Sequence, residues 1–322
     1  MLWRVLLFGL VFVSPPFLKT WLLRRAGAQI GRGAQIGWFS AVAARRITLG
    51  ERAVVRPLTL IRLDGDLVLG AHSEISSFTL VYGTSDFVVG EESYVGPQCL
   101  INVEEPVRIG RGSALGPRSM VFTHGSYLPF TEGYWVRMAG VTLGDKVWCA
   151  AGVFLHPGVE IGDNSFVNSC AVVTQSLPAG SVAEGNPARV VYPMARVQRK
   201  MTPRQVDLAL ERILADFAEV GLRRELRIDR VEQAPGCLRF TYRGRAYCVL
   251  LIRSDGRPAQ PPARADRFVC VVNAEGAPLP EKALSLDVGR RVATPSSDPV
   301  HTALRLFMLR YFGVRLREHE SA

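Results

Sequence analysis

The sequence has no apolar run long enough to cross a bilayer, no Cys-x-x-Cys pair and no His-x4-His pair. The first absence argues against a membrane-spanning helix: Val5–Val13 is about half the roughly 20 residues needed, and Pro15–Pro16 ends it. The second leaves Cys99, Cys149, Cys170, Cys237, Cys248 and Cys270 to be read as reduced thiols of a cytoplasmic protein. The third argues against a metal site, since the five histidines stand apart from one another. There is also no basic stripe with interleaved aromatics, which excludes nucleic acid as the expected partner. What is abundant is charge of one sign: 39 basic against 29 acidic residues give a net charge of +10. Anionic partners are favoured, either a phosphorylated substrate or an acidic membrane surface. Thirty glycines and twenty prolines among 322 residues suit a chain that turns often.

The strongest pattern has a period of six. Leu143, Cys149, Leu155, Ile161, Val167 and Val173 recur without a break, and the place after each is mostly small: Gly144, Ala150, His156, Gly162, Asn168, Thr174. Neither a helix nor a plain strand has this period; a stacked solenoid does. Three short strands per triangular turn would send the first-place residues inward, with small second places at tight corners. Upstream, Leu49-Gly50, Leu69-Gly70, Val89-Gly90 and Ile109-Gly110 lie 20 apart, so these turns carry two extra residues at one corner. The 34-residue interval to Leu143 hides a loop at about His124–Ala139. A single long excursion from a solenoid is where function is expected.

The remaining segments divide the chain into residues 1–25, 26–195 and 200–322. Residues 1–25 are apolar and basic. They read either as a cap on the open end of the solenoid or as a membrane-surface segment with Arg4, Lys19, Arg24 and Arg25 facing anionic head groups. After residue 200, Thr202-Pro203-Arg204-Gln205 is a capping box. Val206, Leu210, Ile213, Leu214 and Phe217 form one helical face, and Gly221 is expected to end that helix. Strands are expected at 224–232, 237–243, 246–253 and 267–273, with turns at Pro235-Gly236 and Arg243-Gly244. A last helix opens at Asp298-Pro299 and stops at Gly313. This C-terminal α+β domain carries no chemical motif.

Two stretches, VRIGRGSALGPRSMVFTHGSY from Val107 and VTLGDKVWCAAGVFLHPGVEIGDNSFVNSCAVVTQSLPAGSVAEGNPARVV from Val141, resemble the hexapeptide-repeat acyltransferases. Within that family they are nearest the maltose, galactoside and colanic acid O-acetyltransferases. The resemblance implies a left-handed parallel β-helix, a homotrimer, and acetyl-CoA held in grooves between subunits. It implies acyl transfer to a sugar, polysaccharide or glycolipid hydroxyl, and it makes His124 the general base. Its coenzyme contacts would fall at the backbone of Ala151 and Gly152, the Thr174 hydroxyl and Arg189. Gln175 stands where a lysine is common, and Gly125 where many relatives have an acidic residue or proline. No metal is implied.

The residues argue for the same base independently, because an imidazole near neutrality suits removal of an alcohol proton. If residues 101–106 stack over 121–126, Glu104 lies one rung from His124 and is expected to orient it. Asn102 reads either as an acceptor contact or, as a second-place hexad residue, as structural. Tyr127, Trp135 and Arg137 are the other expected acceptor contacts, with packing of the loop against a neighbouring turn as the alternative for its aromatics. Two other readings compete: a non-catalytic scaffold that docks a partner through residues 200–322, and a zinc enzyme like the gamma-class carbonic anhydrases. The isolated histidines disfavour the second.

Overall fold

The computed structural model describes residues 2–125, 128–262 and 264–318. The chain divides into two compact units, Met1–Arg199 and Lys200–Ala322.

The first unit is a three-sided parallel β-helix. One face stacks the strands Gln29–Ile30, Ile47–Leu49, Leu67–Leu69, Phe87–Val89, Val107–Ile109, Val141–Leu143 and Glu160–Ile161. The second face runs from Gln35–Ile36 to Ser181–Gly185, and the third from Ala41–Ala43 to Val172–Val173. Register gives the coil lengths directly. Phe87 pairs with Val107 and Leu67 with Phe87, 20 residues apart, whereas Phe154 pairs with Val172, 18 apart. The extra pair sits at the corner between the third and first faces. First-place residues fill the interior: Leu69, Val89, Leu115, Val121, Leu155 and Val173 are fully buried.

The small second places act through close approach. A Cβ on Gly50 would lie 2.5 Å from the Ala71 nitrogen of the next coil, and one on Gly90 2.7 Å from that of Arg111. The left-handed backbone at these corners falls two residues later, on Arg52, His72 and Glu92, each with φ near 55°. Glycine therefore stands where coils touch, and non-glycine residues carry the positive φ. Inward hydroxyls add a ladder that the hexads alone do not reveal. Thr59 Oγ1 donates to the Ser76 carbonyl at 2.9 Å, Thr79 Oγ1 to Gly96 at 2.9 Å and Ser113 Oγ to Gly144 at 2.6 Å. Each satisfies a carbonyl at a turn of the following coil.

Residues Leu2–Val13 (α1) and Pro16–Arg25 (α2) form a helical hairpin on the first coil. Val11 and Leu23 join the same core as Ile36, Ala41 and Val42. Lys19 does not face outward as the membrane-surface reading supposed. It is fully buried, and its Nζ donates to the carbonyls of Gly37 (2.8 Å), Ser40 (2.8 Å) and Phe12 (3.2 Å). Burial pushes its pKa down to about 8, while three carbonyl acceptors favour the ammonium form. The hairpin thus ties off carbonyls at the end of the solenoid. Among the described residues, no helix is long and apolar enough to cross a membrane.

The second unit is a seven-stranded mixed sheet with two long helices. Helix α3, Pro203–Asp216, starts at a capping box in which Thr202 and Gln205 bond reciprocally. Gly221 does not end it: the chain continues as a π-helix over Phe217–Glu225, because the missing Cβ leaves room for the Phe217 ring. The strand expected at 224–232 is consequently only Val231–Ala234. Helix α4, Pro299–Phe312, is capped by Asp298 and ends at Gly313 in the left-handed region.

Two outcomes follow. All five tryptophans lie in residues 1–199, so their fluorescence reports unfolding of the first unit. Lys19→Met, which leaves three carbonyls without their donor, is expected to lower that unit's stability by about 2–4 kcal/mol in urea. In the second unit, His301 is fully buried and burial holds its pKa below the usual 6.5. Its neutral form favours folding above pH 6.5, and that contribution fades as pH falls below 6.5 toward the folded-state value. His301→Gln should flatten the acid limb of the second unit's melting curve, read by far-UV circular dichroism.

Candidate active site

The long excursion leaves the solenoid from the same corner that carries the extra pair in other coils. It closes as a hairpin, with His124 opposite Met138 and Gly125 opposite Arg137. The Ala139 N–H returns to the Thr123 carbonyl at 2.9 Å. His124 is therefore the first residue to leave the stack while the backbone before it is still held in the third face. Its ring is half-buried.

The imidazole is oriented by Asn102, not Glu104. His124 Nδ1 lies 2.8 Å from Asn102 Oδ1, and that oxygen also takes the Thr123 hydroxyl at 2.9 Å and the Thr123 N–H at 3.4 Å. A backbone N–H can only donate, so the amide atom facing it is the oxygen. Nδ1 then carries the hydrogen and Nε2 is left with a lone pair. The Thr123 hydroxyl is itself fixed, accepting from the Glu105 N–H at 3.1 Å. Asn102 is completely buried, so of its two readings the structural one fits and the acceptor contact does not. It sits behind the imidazole. Glu104 turns to the preceding rung, where its carboxylate accepts from Thr84 Oγ1 at 2.8 Å. Equal register does not bring Glu104 onto His124, since the Glu104 carboxylate is held by Thr84 of the preceding coil while His124 enters the antiparallel hairpin. Thr123 was missed in the sequence. A buried polar side chain in the second place of a hexad was the available signal, and Asn102 carries it.

Beside His124 the outer surface of the third face is aromatic. Phe122 and Phe154 stack at 5.5 Å, and the Phe154 ring lies 4.9 Å from His156. Of the expected acceptor contacts, Trp135 is 72% exposed on the hairpin. Arg137 folds back to give an N–H to the Gly158 carbonyl at 3.3 Å, so it packs the loop onto the solenoid. Tyr127 lies outside the described residues.

The expected coenzyme residues are spread over several places of the solenoid, with Thr174 two coils beyond Phe122 in the register of the third face. Ala151 is exposed at a corner; its carbonyl accepts from the Cys170 N–H at 2.9 Å, and the Gly152 N–H donates to Pro117 at 2.8 Å. Thr174 follows the last strand of the third face and is half-exposed. Arg189 lies on the hairpin that ends the second face, exposed, with one N–H on the Ala188 carbonyl at 3.0 Å. Among the described residues, no cluster of three or more His, Cys, Asp or Glu side chains could hold a metal ion.

No protein-family model matches the chain. A stretch of 67 residues is 39% identical to the protein named as a colanic acid biosynthesis acetyltransferase, WcaF, of Escherichia coli K12, covering 21% of this chain and 37% of that protein. A stretch of 51 residues is 43% identical to the galactoside O-acetyltransferase of the same organism, covering 16% and 25%. The chain thus spans little more than a third of the length of these relatives at most. Among solved structures it is similar to a hexapeptide-repeat acetyltransferase of Vibrio cholerae crystallised with acetyl coenzyme A, at 18% identity over 59% of this chain and 84% of that one, with a TM-score of 0.36. A maltose O-acetyltransferase of Clostridium difficile 630 is similar at 19% identity over 59% and 84%, with a TM-score of 0.34.

The orientation of His124 is measurable without knowing its substrate. Nitrogen-15 NMR of the wild type should show the Nδ1–H tautomer for His124, and Asn102→Ala should return it largely to the Nε2–H form that a free imidazole prefers. An unchanged tautomer would separate Asn102 from the orientation of the ring.

Proposed function

We propose that this chain is an acyl-CoA-dependent O-acyltransferase, in the first instance an O-acetyltransferase, acting on a hydroxyl of a sugar, polysaccharide or glycolipid precursor. The observation that carries the reading is His124 at the mouth of the excursion, its Nδ1 held by Asn102 so that Nε2 is the free base. The acetyltransferase names of the relatives over their matched stretches support the same class.

The chemistry assigned to the chain is proton handling. His124 Nε2 takes the proton of the acceptor hydroxyl as its oxygen attacks the thioester carbon; the C–O bond forms, the C–S bond breaks, and the imidazolium returns the proton to the departing sulfur. The Asn102 carbonyl, already on Nδ1–H, stabilises the imidazolium while it lasts. Thr123 keeps that carbonyl in place. The attack is assigned as direct, without an acyl-enzyme. Acyl-CoA supplies the activated acyl group. For its binding, the corner at Ala150, Ala151 and Gly152 bears nothing larger than a methyl and leaves room for a thin chain. The Thr174 hydroxyl and the remaining N–H groups of Arg189 are available to amide and phosphate oxygens.

A second observation suggests that the site is shared between copies. On the outside of the third face, Leu60, Leu80, Leu100, Met120, Phe154 and Val172 follow one another in register. Such an unbroken apolar stripe suits burial against another copy. We assign it to a homotrimer in which a neighbour's corner faces His124.

His124→Ala should lower kcat for acetyl transfer to a sugar acceptor by roughly 10²–10⁴-fold, with coenzyme A binding unchanged by calorimetry. Sedimentation of both proteins should give three chains per particle. Wild-type protein that neither binds coenzyme A nor transfers acetyl groups would sink the assignment and leave the scaffold reading.

A further inference from the structure

The first acidic residue of the sequence is Glu51; before it stand seven basic residues, Arg4, Lys19, Arg24, Arg25, Arg32, Arg45 and Arg46. Among the described residues of the hairpin, Val11 and Leu23 pack into the solenoid core. On α2 the buried residues are Lys19 and Leu23. Positions 17, 21, 24 and 25 follow the i, i+4, i+7, i+8 spacing of a single helical stripe, and they are Phe17, Trp21, Arg24 and Arg25. Phe17 is 78% exposed and Trp21 51%. The Arg25 guanidinium lies 5.2 Å from the Trp21 ring centroid, and Arg24 is exposed with one N–H on the Ile30 carbonyl. The apolar exposure continues on α1 at Leu10 and Val13 and on the first coil at Trp38 and Phe39, the latter 5.9 Å from the Phe12 ring.

We propose that this outer face of the hairpin seats the protein on the surface of an anionic lipid bilayer. The chemistry of the stripe selects the occupant. Two aromatics with two arginines on one helical face match an interface where rings enter the acyl boundary and guanidinium groups meet lipid phosphates. Helices of 12 and 10 residues, broken at Pro15–Pro16, are too short to span the hydrocarbon and are the right length to lie along it. A second copy of the chain is a poor occupant, since an isologous contact would bring the arginines of both faces together with no acidic side chain nearby in sequence to pair them. Lys19 contributes nothing to lipid contact; its three carbonyl bonds fix the angle at which the stripe is presented. The inference is independent of the acyl-transfer reading. If both hold, the acceptor hydroxyl belongs to a lipid-borne glycan.

Flotation of the full chain with vesicles tests it. Wild type should float with vesicles containing phosphatidylglycerol and stay behind with phosphatidylcholine alone, and the binding should weaken as salt screens the arginines. Phe17→Ser/Trp21→Ser should reduce the bound fraction at least about tenfold. Arg24→Gln/Arg25→Gln should abolish the preference for anionic lipid. All four positions are exposed, so the melting curves of the variants should match wild type. Wild type that does not float, or a Phe17→Ser/Trp21→Ser protein that floats equally well, overturns the proposal. So does a change in particle mass of that variant in the absence of lipid, which would make the occupant another copy of the chain.

Discussion

The spacing between coils governs the first unit. Each coil hydrogen-bonds to the next through parallel strands about 4.8 Å apart, and at the corners the backbones come closer than a Cβ allows, as at Gly50 and Gly90. That contact decides which residues the second hexad place accepts. It also explains why hydroxyls are tolerated inside: a Thr or Ser at the right corner reaches a carbonyl of the following coil, as Thr59 and Thr79 do. A stack with such tight tolerance admits an insertion only where a corner is already loose, between the third and first faces.

The candidate active site follows from that restriction. His124 comes from the loose corner, but the residue that orients it comes from one coil earlier and from inside the stack. Asn102 occupies a place where a small residue is usual, and its amide uses the crowding to hold Thr123 and the imidazole together. A carboxylate at the same place would be desolvated as a full charge, whereas the amide is buried neutral, with its Oδ1 taking three contacts and its Nδ2 left without a partner among the described residues. The neutral partner therefore suits the interior, and the charged Glu104 is left to the surface with Thr84.

The ends of the solenoid show the same economy of polar groups. An open β-helix leaves carbonyls without donors, and the hairpin of α1 and α2 brings one lysine to two of them, Gly37 and Ser40, and to the Phe12 carbonyl of α1 itself. A cation so used is lost to the surface, so the exposed charge of the hairpin rests on the arginines of its opposite side. In the second unit, the π-helical continuation past Gly221 is likewise set by one contact, the Phe217 ring in the space a side chain would take.

The period of six, the coils of 20 and 18 residues, the single excursion and the place of His124 were legible in the sequence, because stacking imposes a linear repeat and any break in it shows. The capping box at Thr202 and the stop at Gly313 were equally local and equally readable. The partner of His124 was not, since Asn102 and Glu104 are both plausible on a period drawn flat, and only what each side chain meets in the folded stack separates them. The burial of Lys19 was hidden for a similar reason: a basic residue in an apolar, basic segment reads as surface until three carbonyls from the first coil and α1 are seen to converge on it. What recurs along the chain could be counted from the sequence. What depends on two residues from different coils meeting at a chosen angle was decided by the folded backbone alone.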